Sequence, residues 1–313
     1  MPIPSRPDAG LSPPTGTLGL TALTAAAPVS WGTTYLVTTE FLPTGHPLVS
    51  GVIRALPAGL VLLALTRRVP RGAWLWRSLL LGTLNIGALF ALLFVAAYRL
   101  PGGVAATLTA VQPLFVVGLA FLLLGERPTP WRLGWGLAGV AGVGLIVLRG
   151  RLSFDPLGLL AGVAAAGVMA GGIVLTKRWG RPPGAGAATV AAWQLTAGGL
   201  VLLPPALAFE GLPPALDLRA IGGYAWLAVV GALLSFVVWF HGIGRLPVVA
   251  VSFLTLLSPM VATVLGAVFL GESLTPWQGA GFVLALAAIA AAQLSPGATR
   301  APVPATTTTT TGA

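Results

Sequence analysis

The segment RLPGGVAATLTAVQPLFVVGLAFLLLGERPTPW, from Arg99 to Trp131, decides the fold, because a second version of it begins 146 residues later. The second version reads RLPVVAVSFLTLLSPMVATVLGAVFLGESLTPW, from Arg245 to Trp277. Both begin with Arg-Leu-Pro, carry a proline inside an apolar run, and end in Gly-Glu and Thr-Pro-Trp. Each apolar run has about the 20 residues that a helix needs to cross a bilayer. The pattern predicts two related membrane-spanning helices in one chain.

The composition places the whole chain in the membrane. Its 313 residues are 56% hydrophobic and 8% charged, with a mean hydropathy of +0.92. A soluble domain has roughly 25% charged residues, and a disordered chain has low hydrophobicity, so both classes are excluded. The net charge of +10 comes from residues scattered between apolar runs. This pattern does not form the basic stripe of a nucleic-acid-binding protein.

Ten apolar stretches are long enough to cross the hydrocarbon core, which predicts an all-α integral membrane protein with ten transmembrane helices. Five of them fall in a first repeat, 18–149, and five in a second, 156–294, while the tails 1–17 and 295–313 are expected to be disordered. The stretches are 18–37, 48–65, 79–98, 104–124, 131–148, 157–176, 189–209, 224–243, 248–270 and 277–294.

The two repeats are predicted to have opposite orientations. A shift of 146 residues aligns the fourth and ninth spans, and a shift of 140 aligns the second and seventh, where the run GLVLL occurs at both Gly59 and Gly199. Because each repeat has an odd number of spans, the second copy enters the bilayer upside down. Inverted repeats are typical of secondary transporters, with the substrate site near the bilayer midplane.

The distribution of lysine and arginine predicts that both termini are cytoplasmic. With the N-terminus inside, 12 of the 17 basic residues lie in inner loops and ends and four lie in outer loops. Cytoplasmic loops accumulate these residues. The remaining residue, Arg54, lies within the second span.

Three features recur at characteristic places: Trp31-Gly32-Thr33-Thr34-Tyr35 in the first span, Arg54 in the second, and Gly125-Glu126 and Gly271-Glu272 before the last span of each half. In these features the sequence resembles the EamA family of the drug/metabolite transporter superfamily. The phrases WGTTYLVTTEFLP, YRLPGGVAA and WFHGIGRLP are similar to the PecM-type branch of pigment and metabolite exporters. The resemblance implies a ten-helix export carrier of the bacterial inner membrane. One departure is Gly171, where the resemblance implies an aromatic residue.

Arg54 is the principal candidate for contact with a substrate. An ionisable side chain at membrane depth costs at least about 2.5 kcal/mol on insertion scales, so it is retained for a reason. Arg54 either binds an anionic group of the substrate or holds neighbouring helices together; the sequence leaves both interpretations open. Gln194 occupies the Arg54 position under the shift of 140 and is a candidate counterpart.

Polar residues at helical spacing supply further candidates. Thr109 and Gln112 share one face of the fourth span, and Thr255 and Ser258 hold the same positions in the ninth. These pairs either line a common cavity or form hydrogen bonds between helices. Pro113 and Pro259 kink the same two spans and suit either gating or a static bend. The other candidate substrate-binding residues are Trp31, Thr34, Asn85, Ser235 and Trp239.

These features predict a secondary transporter that exports a small metabolite, such as an amino acid, a drug or a pigment-like compound, by alternating access. The alternatives are a carrier of sugar phosphates or nucleotide sugars, and a non-transporting membrane sensor. No catalytic residue, metal site or cofactor is predicted, because all seven acidic residues fall in termini or loops, the chain has no cysteine, and no phosphate-binding loop is present. The expected partners are a small-molecule substrate and the lipid bilayer. Homodimerisation and the coupling ion are left open, with Glu126, Glu272 and His241 as possible proton carriers.

Overall fold

The computed structural model describes residues 15–99, 108–147, 155–211, 216–269 and 275–294, and every regular element in these ranges is helical. The elements before residue 150 are α1 (Thr15–Phe41), α2 (Pro47–Thr66), α3 (Ala73–Gly82), the π-helical turn π1 (Thr83–Gly87), α4 (Ala88–Arg99), α5 (Gln112–Leu124) and α6 (Pro130–Val147). Those after it are α7 (Pro156–Trp179), α8 (Ala187–Phe209), α9 (Leu218–Ala228), the π-helical turn π2 (Val229–Leu234), α10 (Ser235–Arg245), α11 (Val248–Leu254), α12 (Leu257–Phe269) and α13 (Pro276–Gln293).

Six helical runs among the described residues are long and apolar enough to cross a membrane: Pro47–Thr66, Ala73–Leu93, Pro156–Trp179, Ala187–Phe209, Leu218–Arg245 and Val248–Phe269. The all-α membrane prediction is therefore confirmed. Helices α1, α5, α6 and α13 coincide with the other four predicted spans but are outside this set of six. Parts of the predicted tails and of the fourth span lie outside the described residues, namely residues 1–14, 295–313 and 104–107.

Several helices begin and end at the residues that local sequence favours. Asp155 caps α7 by accepting from the Gly158 amide at 2.9 Å, with Pro156 in the first turn. Thr275 and Gln278 form a capping box at the start of α13. Gly125 ends α5 in the left-handed conformation (φ 71°) that favours glycine. Two helices start earlier than hydropathy indicated: α3 at Ala73 and α9 at Leu218, because amphipathic turns precede their apolar cores.

Helices α2 and α8 form a closely packed antiparallel pair. The Leu48 amide at the start of α2 donates to Glu210 after the end of α8, and Arg68 after the end of α2 accepts from Trp193 near the start of α8. Between these ends the helices touch at small residues. A Cβ on Gly59 would lie 2.6 Å from Thr196 Oγ1, and a Cβ on Gly199 would lie 3.0 Å from the Leu56 Cα. Small residues allow this close approach of helices in membranes.

Helices α6 and α13 form a second antiparallel pair. The Trp131 indole donates to the Ala291 carbonyl at 2.9 Å, and Gln278 donates to the Ile146 carbonyl at 2.8 Å. The start of each helix therefore packs against the end of the other. Gly142 lies between these ends, where an added Cβ would be 2.8 Å from the Ala285 amide nitrogen.

The outer surface is apolar and the charges collect at the two ends of the bundle. Leu122, Val283 and Phe269 are 72%, 69% and 66% exposed, as expected of side chains that face lipid. One end, which we call the arginine-rich end, carries Arg68, Arg77, Lys177, Arg181 and Arg245. The other, which we call the acidic end, carries Glu40, Arg99, Asp155, Glu210, Asp217 and Arg219.

Candidate functional site

Two π-helical turns mark corresponding places in the chain. Thr83 is the first residue of π1 and Val229 the first of π2, so the two turns are related by the same 146 residues as the repeated segments. A π-turn breaks the regular hydrogen-bond pattern of a helix and is common at functional sites. Each turn contacts the α2–α8 pair: π1 packs on α8 and π2 packs on α2.

Arg54 binds π2 from the middle of α2. One terminal nitrogen of its guanidinium donates to the Gly231 carbonyl at 2.9 Å, and the other donates to the Thr34 hydroxyl of α1 at 3.3 Å. The guanidinium carbon lies 5.3 Å from the centre of the Phe90 ring of α4, within cation–π range. The positive charge is therefore positioned by three different helices around α2.

Aromatic rings form one wall of this site. The Trp31 indole nitrogen donates to the Gly231 carbonyl at 3.1 Å, so Trp31 and Arg54 share one acceptor. The Trp31 ring lies 5.3 Å from Phe236 and 5.1 Å from Trp239. Ser235, at the start of α10, is hydrogen-bonded to Ser30 of α1 and donates to the Val230 carbonyl of π2. We call the set Trp31, Thr34, Arg54, Phe90, Gly231, Ser235, Phe236 and Trp239 the Arg54 cluster.

A second polar cluster lies against π1. Asn85 donates to the Gln194 side-chain oxygen at 2.7 Å and to the Thr176 hydroxyl at 3.4 Å. Thr176 in turn donates to the Gly172 carbonyl at 2.7 Å. All three side chains are nearly excluded from solvent, at 5% exposed for Asn85, 1% for Gln194 and 6% for Thr176. Gln194, the counterpart of Arg54 in the second repeat, thus faces the opposite π-turn.

A third contact joins the two proline-containing regions. Thr255 donates to the Gln112 side-chain oxygen at 2.9 Å, at places where both helices are interrupted. Residues 110–111 form a turn just before Pro113 in α5, and Thr255 and Leu256 form a turn before Pro259 in α12. Thr109 and Ser258 lie on the same two segments. The prolines therefore follow breaks in their helices.

Basic side chains form hydrogen bonds between neighbouring segments at one end of the bundle. At the arginine-rich end, Lys177 donates to the carbonyls of Ile243 and Leu246 at 3.0 and 2.9 Å, and Arg68 donates to the Gly184 carbonyl. Burial, and secondarily the nearby charge of Arg245, lowers the pKa of Arg181 there. His241 contacts Arg245 at the same end.

The acidic end contains a groove with a volume of about 320 Å³, lined by Gly45, Pro47, Leu48, Ala91, Val95, Arg99 and Glu210. Leu48 precedes Arg54 by six residues of the same helix, which is about 9 Å at 1.5 Å per residue. Ala91 follows Phe90 directly. The groove therefore lies between the Arg54 cluster and the acidic end, along both α2 and α4.

Glu126, one of the possible proton carriers, forms an ion pair close to the start of α6. Its carboxylate pairs with Arg132 at 3.3 Å, and the Thr129 hydroxyl accepts from the Arg132 amide at the start of α6. Threonine is the better placed cap because it lies just before Pro130, the first residue of the helix. The corresponding Glu272 lies outside the described residues.

Of the residues predicted from sequence, the structure brings Trp31, Thr34, Arg54, Ser235 and Trp239 into one cluster. It places Asn85 and Gln194 in a second cluster, and Gln112 and Thr255 in a third contact. Sequence reasoning missed Phe90, Thr176, Phe236 and the Gly231 carbonyl. Phe90 and Phe236 had a signal, because the shift of 146 relates them, and Gly231 occupies the Asn85 position under the same shift.

A helical bundle with an apolar exterior and a half-buried arginine held among aromatic side chains defines a class of protein. It is a polytopic membrane protein whose polar chemistry serves binding, as in a transporter. The EamA-like transporter family model matches residues 18–148 and 156–292, and the chain belongs to that family. It is a transporter, not an enzyme, and an integral inner-membrane protein.

Similar proteins agree with this assignment. The chain is 45% identical to Protein PecM of Dickeya dadantii (strain 3937) over 84% of its own length and 88% of the relative's. It is 30% identical to a protein of Streptantibioticus cattleyicolor named "Probable terminal-alkyne amino-acid exporter", over 77% of this chain and 79% of that one. A relative in Salmonella typhimurium, 29% identical over 68% of this chain and 75% of its own, is named "Probable amino-acid metabolite efflux pump".

One solved crystal structure has the same fold. It superposes with a TM-score of 0.77 at 22% identity and covers 88% of this chain and 97% of the other. A likeness at this identity concerns the fold alone.

Proposed function

We propose that the chain is a secondary exporter of a small metabolite, and that Arg54 binds a carboxylate or similar anionic group of that metabolite. The observation that carries the proposal is the position of the Arg54 guanidinium. It donates to the Gly231 carbonyl, which the Trp31 indole also binds, and it lies over the Phe90 ring. A guanidinium presents planar donors that match a carboxylate. The aromatic side chains supply an apolar wall for the rest of the molecule.

The proposed mechanism is alternating access by two inverted five-helix repeats. Three observations support it. The sequence repeats at shifts of 140 and 146 residues, and the π-turns recur at the second of these shifts. Equivalent helices also pack antiparallel, α2 on α8 and α6 on α13, as an axis in the membrane plane would require.

The contacts of these pairs exchange under the same shifts. The contact of Gly59 with Thr196 becomes the contact of Gly199 with Leu56 when each residue moves by 140. On the second pair, the approach of Gly139 to Ala288 becomes the approach of Ala285 to Gly142 under a shift of 146. Each contact between the repeats thus has a copy in which the two repeats are exchanged, which is the arrangement that a two-fold axis between the repeats produces.

The substrate class that we favour is a monoanionic or zwitterionic metabolite such as an amino acid. A single arginine matches one carboxylate better than the several charges of a nucleotide sugar. Two of the relatives bear names of amino-acid exporters. The arginine-rich end would face the cytoplasm, because cytoplasmic ends accumulate basic residues.

The test is efflux from proteoliposomes loaded in turn with each common L-amino acid. Arg54→Ala should abolish efflux of the transported compound while the protein stays folded in detergent, with its thermal transition lowered only by the loss of the bonds to Gly231 and Thr34. The matched control is Arg219→Ala, which removes an exposed arginine paired with Glu40 at the acidic end. Wild-type efflux by Arg54→Ala would contradict the substrate role. A C-terminal reporter active only on the periplasmic side would contradict the orientation.

A further inference from the structure

We propose that Asn85, Thr176 and Gln194 form a second binding subsite, closed in this structure, that takes the same substrate carboxylate when the carrier opens at the arginine-rich end. The inference rests on the proposed function, because it assigns an inner counterpart to the Arg54 cluster. It is drawn from the correspondence of the two clusters, from their burial and from one unpartnered donor.

The two clusters use corresponding residues. Gln194 corresponds to Arg54 under the shift of 140, and Asn85 corresponds to Gly231 under the shift of 146. In one cluster Arg54 donates to the Gly231 carbonyl at 2.9 Å; in the other, Asn85 donates to the Gln194 oxygen at 2.7 Å. Each bond joins the α2–α8 pair to a π-turn of the other half. The same connection is therefore made twice, with donor and acceptor exchanged.

The second cluster is closed because Asn85 has a side chain where Gly231 has none. The Asn85 amide packs directly against Gly172, where an added Cβ would lie 2.6 Å from the Asn85 Cγ. Gly172 follows Gly171, which corresponds to Trp31 under the shift of 140. The Asn85 amide thus fills the space beside small residues, and a ligand would have to displace it.

One donor in this cluster has no partner. The Thr176 hydroxyl has a single hydrogen, which it gives to the Gly172 carbonyl, so its oxygen accepts from Asn85. This fixes the Asn85 nitrogen toward Thr176 and Gln194, and the Gln194 oxygen as its acceptor. The Gln194 side-chain nitrogen then has no hydrogen-bond partner among the described residues, although Gln194 is only 1% exposed. A buried donor of this kind is costly and favours an incoming acceptor such as a carboxylate.

The two subsites lie on opposite sides of the α2–α8 crossing. Arg54 precedes Gly59 in the direction of Leu48, the acidic end. Gln194 precedes Thr196 in the direction of Trp193 and Arg68, the arginine-rich end. A substrate entering from the arginine-rich end would therefore meet Gln194 before Arg54. Opening at that end requires the bond between Asn85 and Gln194 to break.

The first experiment uses the natural absence of cysteine. Gln194→Cys is labelled with a membrane-impermeant maleimide in inside-out and right-side-out vesicles. We expect labelling several-fold faster from the face that carries the arginine-rich end, and slower when a transported L-amino acid is present. The control is Ala191→Cys, one turn earlier on α8 and 0% exposed, which should stay unlabelled. Labelling of Gln194→Cys no faster than the control from either face would overturn the proposal.

The second experiment locks the subsite. In Asn85→Cys/Gly172→Cys a disulfide would join π1 to α7, because the Asn85 Cγ, which the sulfur replaces, lies next to the Gly172 Cβ position. Oxidation should abolish efflux, and reduction should restore it. The control pair Gly139→Cys/Ala288→Cys, on α6 and α13 with Cβ positions 3.4 Å apart, should retain efflux when oxidised. Unchanged efflux in the oxidised first pair would also overturn the proposal.

The labelling arm keeps the two proposals distinguishable. If wild-type protein exports no L-amino acid, the proposed function fails, whereas one-sided labelling of Gln194→Cys still shows an opening at this subsite. If Arg54→Ala abolishes efflux while Gln194→Cys remains unlabelled, the proposed function stands and the second subsite is wrong.

Discussion

Trp31 and Arg54 donate to the same atom, the carbonyl oxygen of Gly231, at 3.1 and 2.9 Å. The shared oxygen belongs to a π-helical turn, which leaves it available to two side chains from helices α1 and α2. The position of the cation and that of the aromatic wall therefore depend on one backbone group. A change at either donor is expected to disturb the other.

Trp31→Phe tests this dependence. The phenyl ring retains most of the contact with Phe236 and Trp239 but lacks the indole donor. We expect a loss of about 1 kcal/mol in unfolding free energy, the usual net value of one hydrogen bond, and a larger fall in efflux because Arg54 loses its neighbour. The control is Trp226→Phe, which loses a 2.9 Å bond to Thr33 on the exposed side of the same helices. Equal efflux in both variants would contradict the shared-acceptor account.

The contact between Gln112 and Thr255 gives a second prediction. Gln112 is 1% exposed and its side-chain nitrogen has no partner among the described residues, so Thr255 holds its only described side-chain bond. Thr255→Val should cost about 1–3 kcal/mol, because a buried amide is then left unsatisfied at both ends. The double variant Gln112→Leu/Thr255→Val should recover most of this loss in thermal unfolding.

The matched control for that cycle is Thr263→Val. Thr263 donates to the Pro259 carbonyl of its own helix at 3.0 Å, whereas the single hydrogen of the Thr255 hydroxyl is shared between the Gln112 oxygen and the Ser252 carbonyl. Thr263→Val therefore removes an intrahelical bond without stranding a buried amide. If Thr255→Val and Thr263→Val lower the free energy of unfolding equally, the hydrogen bond between Thr255 and Gln112 contributes nothing to stability.

Much of the site follows from the sequence, because an arginine in an apolar span and a tryptophan near it are rare enough to stand out. Trp31, Thr34, Arg54, Ser235 and Trp239 were predicted separately and lie together. The acceptor that joins them could not be predicted, because glycine has no side chain and its carbonyl becomes available only through the π-turn. For the same reason the contacts of Gln194 could not be predicted: hydropathy gives no sign of which π-turn each helix faces.

The pH dependence of stability gives a third prediction, at Asp155. The hydrogen bond from the Gly158 amide, together with Arg99, lowers the pKa of Asp155 below its usual 3.8 in spite of an opposing effect of desolvation. A lowered folded-state pKa means that the stabilisation is present above 3.8 and is lost as the pH falls through the lower folded value. Asp155→Asn keeps a capping side chain but does not titrate, so its thermal transition should fall less between pH 5 and pH 3 than that of the wild type. An identical pH profile in both proteins would exclude a contribution from this carboxylate.

The packing of α6 on α13 gives the last prediction, and two glycines of the same helix supply the variant and its control. A Cβ on Gly142 would lie 2.8 Å from the Ala285 amide nitrogen and 3.0 Å from the Gly281 carbonyl oxygen, and backbone atoms cannot turn aside as a flexible side chain can. Gly142→Ala should therefore separate the helices and cost about 1–3 kcal/mol, the usual range for overpacking. Gly134 has nothing within 4 Å of its added Cβ, so Gly134→Ala should gain up to about 1 kcal/mol from helix propensity alone. Thermal unfolding in detergent should thus move in opposite directions for the two variants, and a common direction would mean that α6 and α13 do not pack through Gly142.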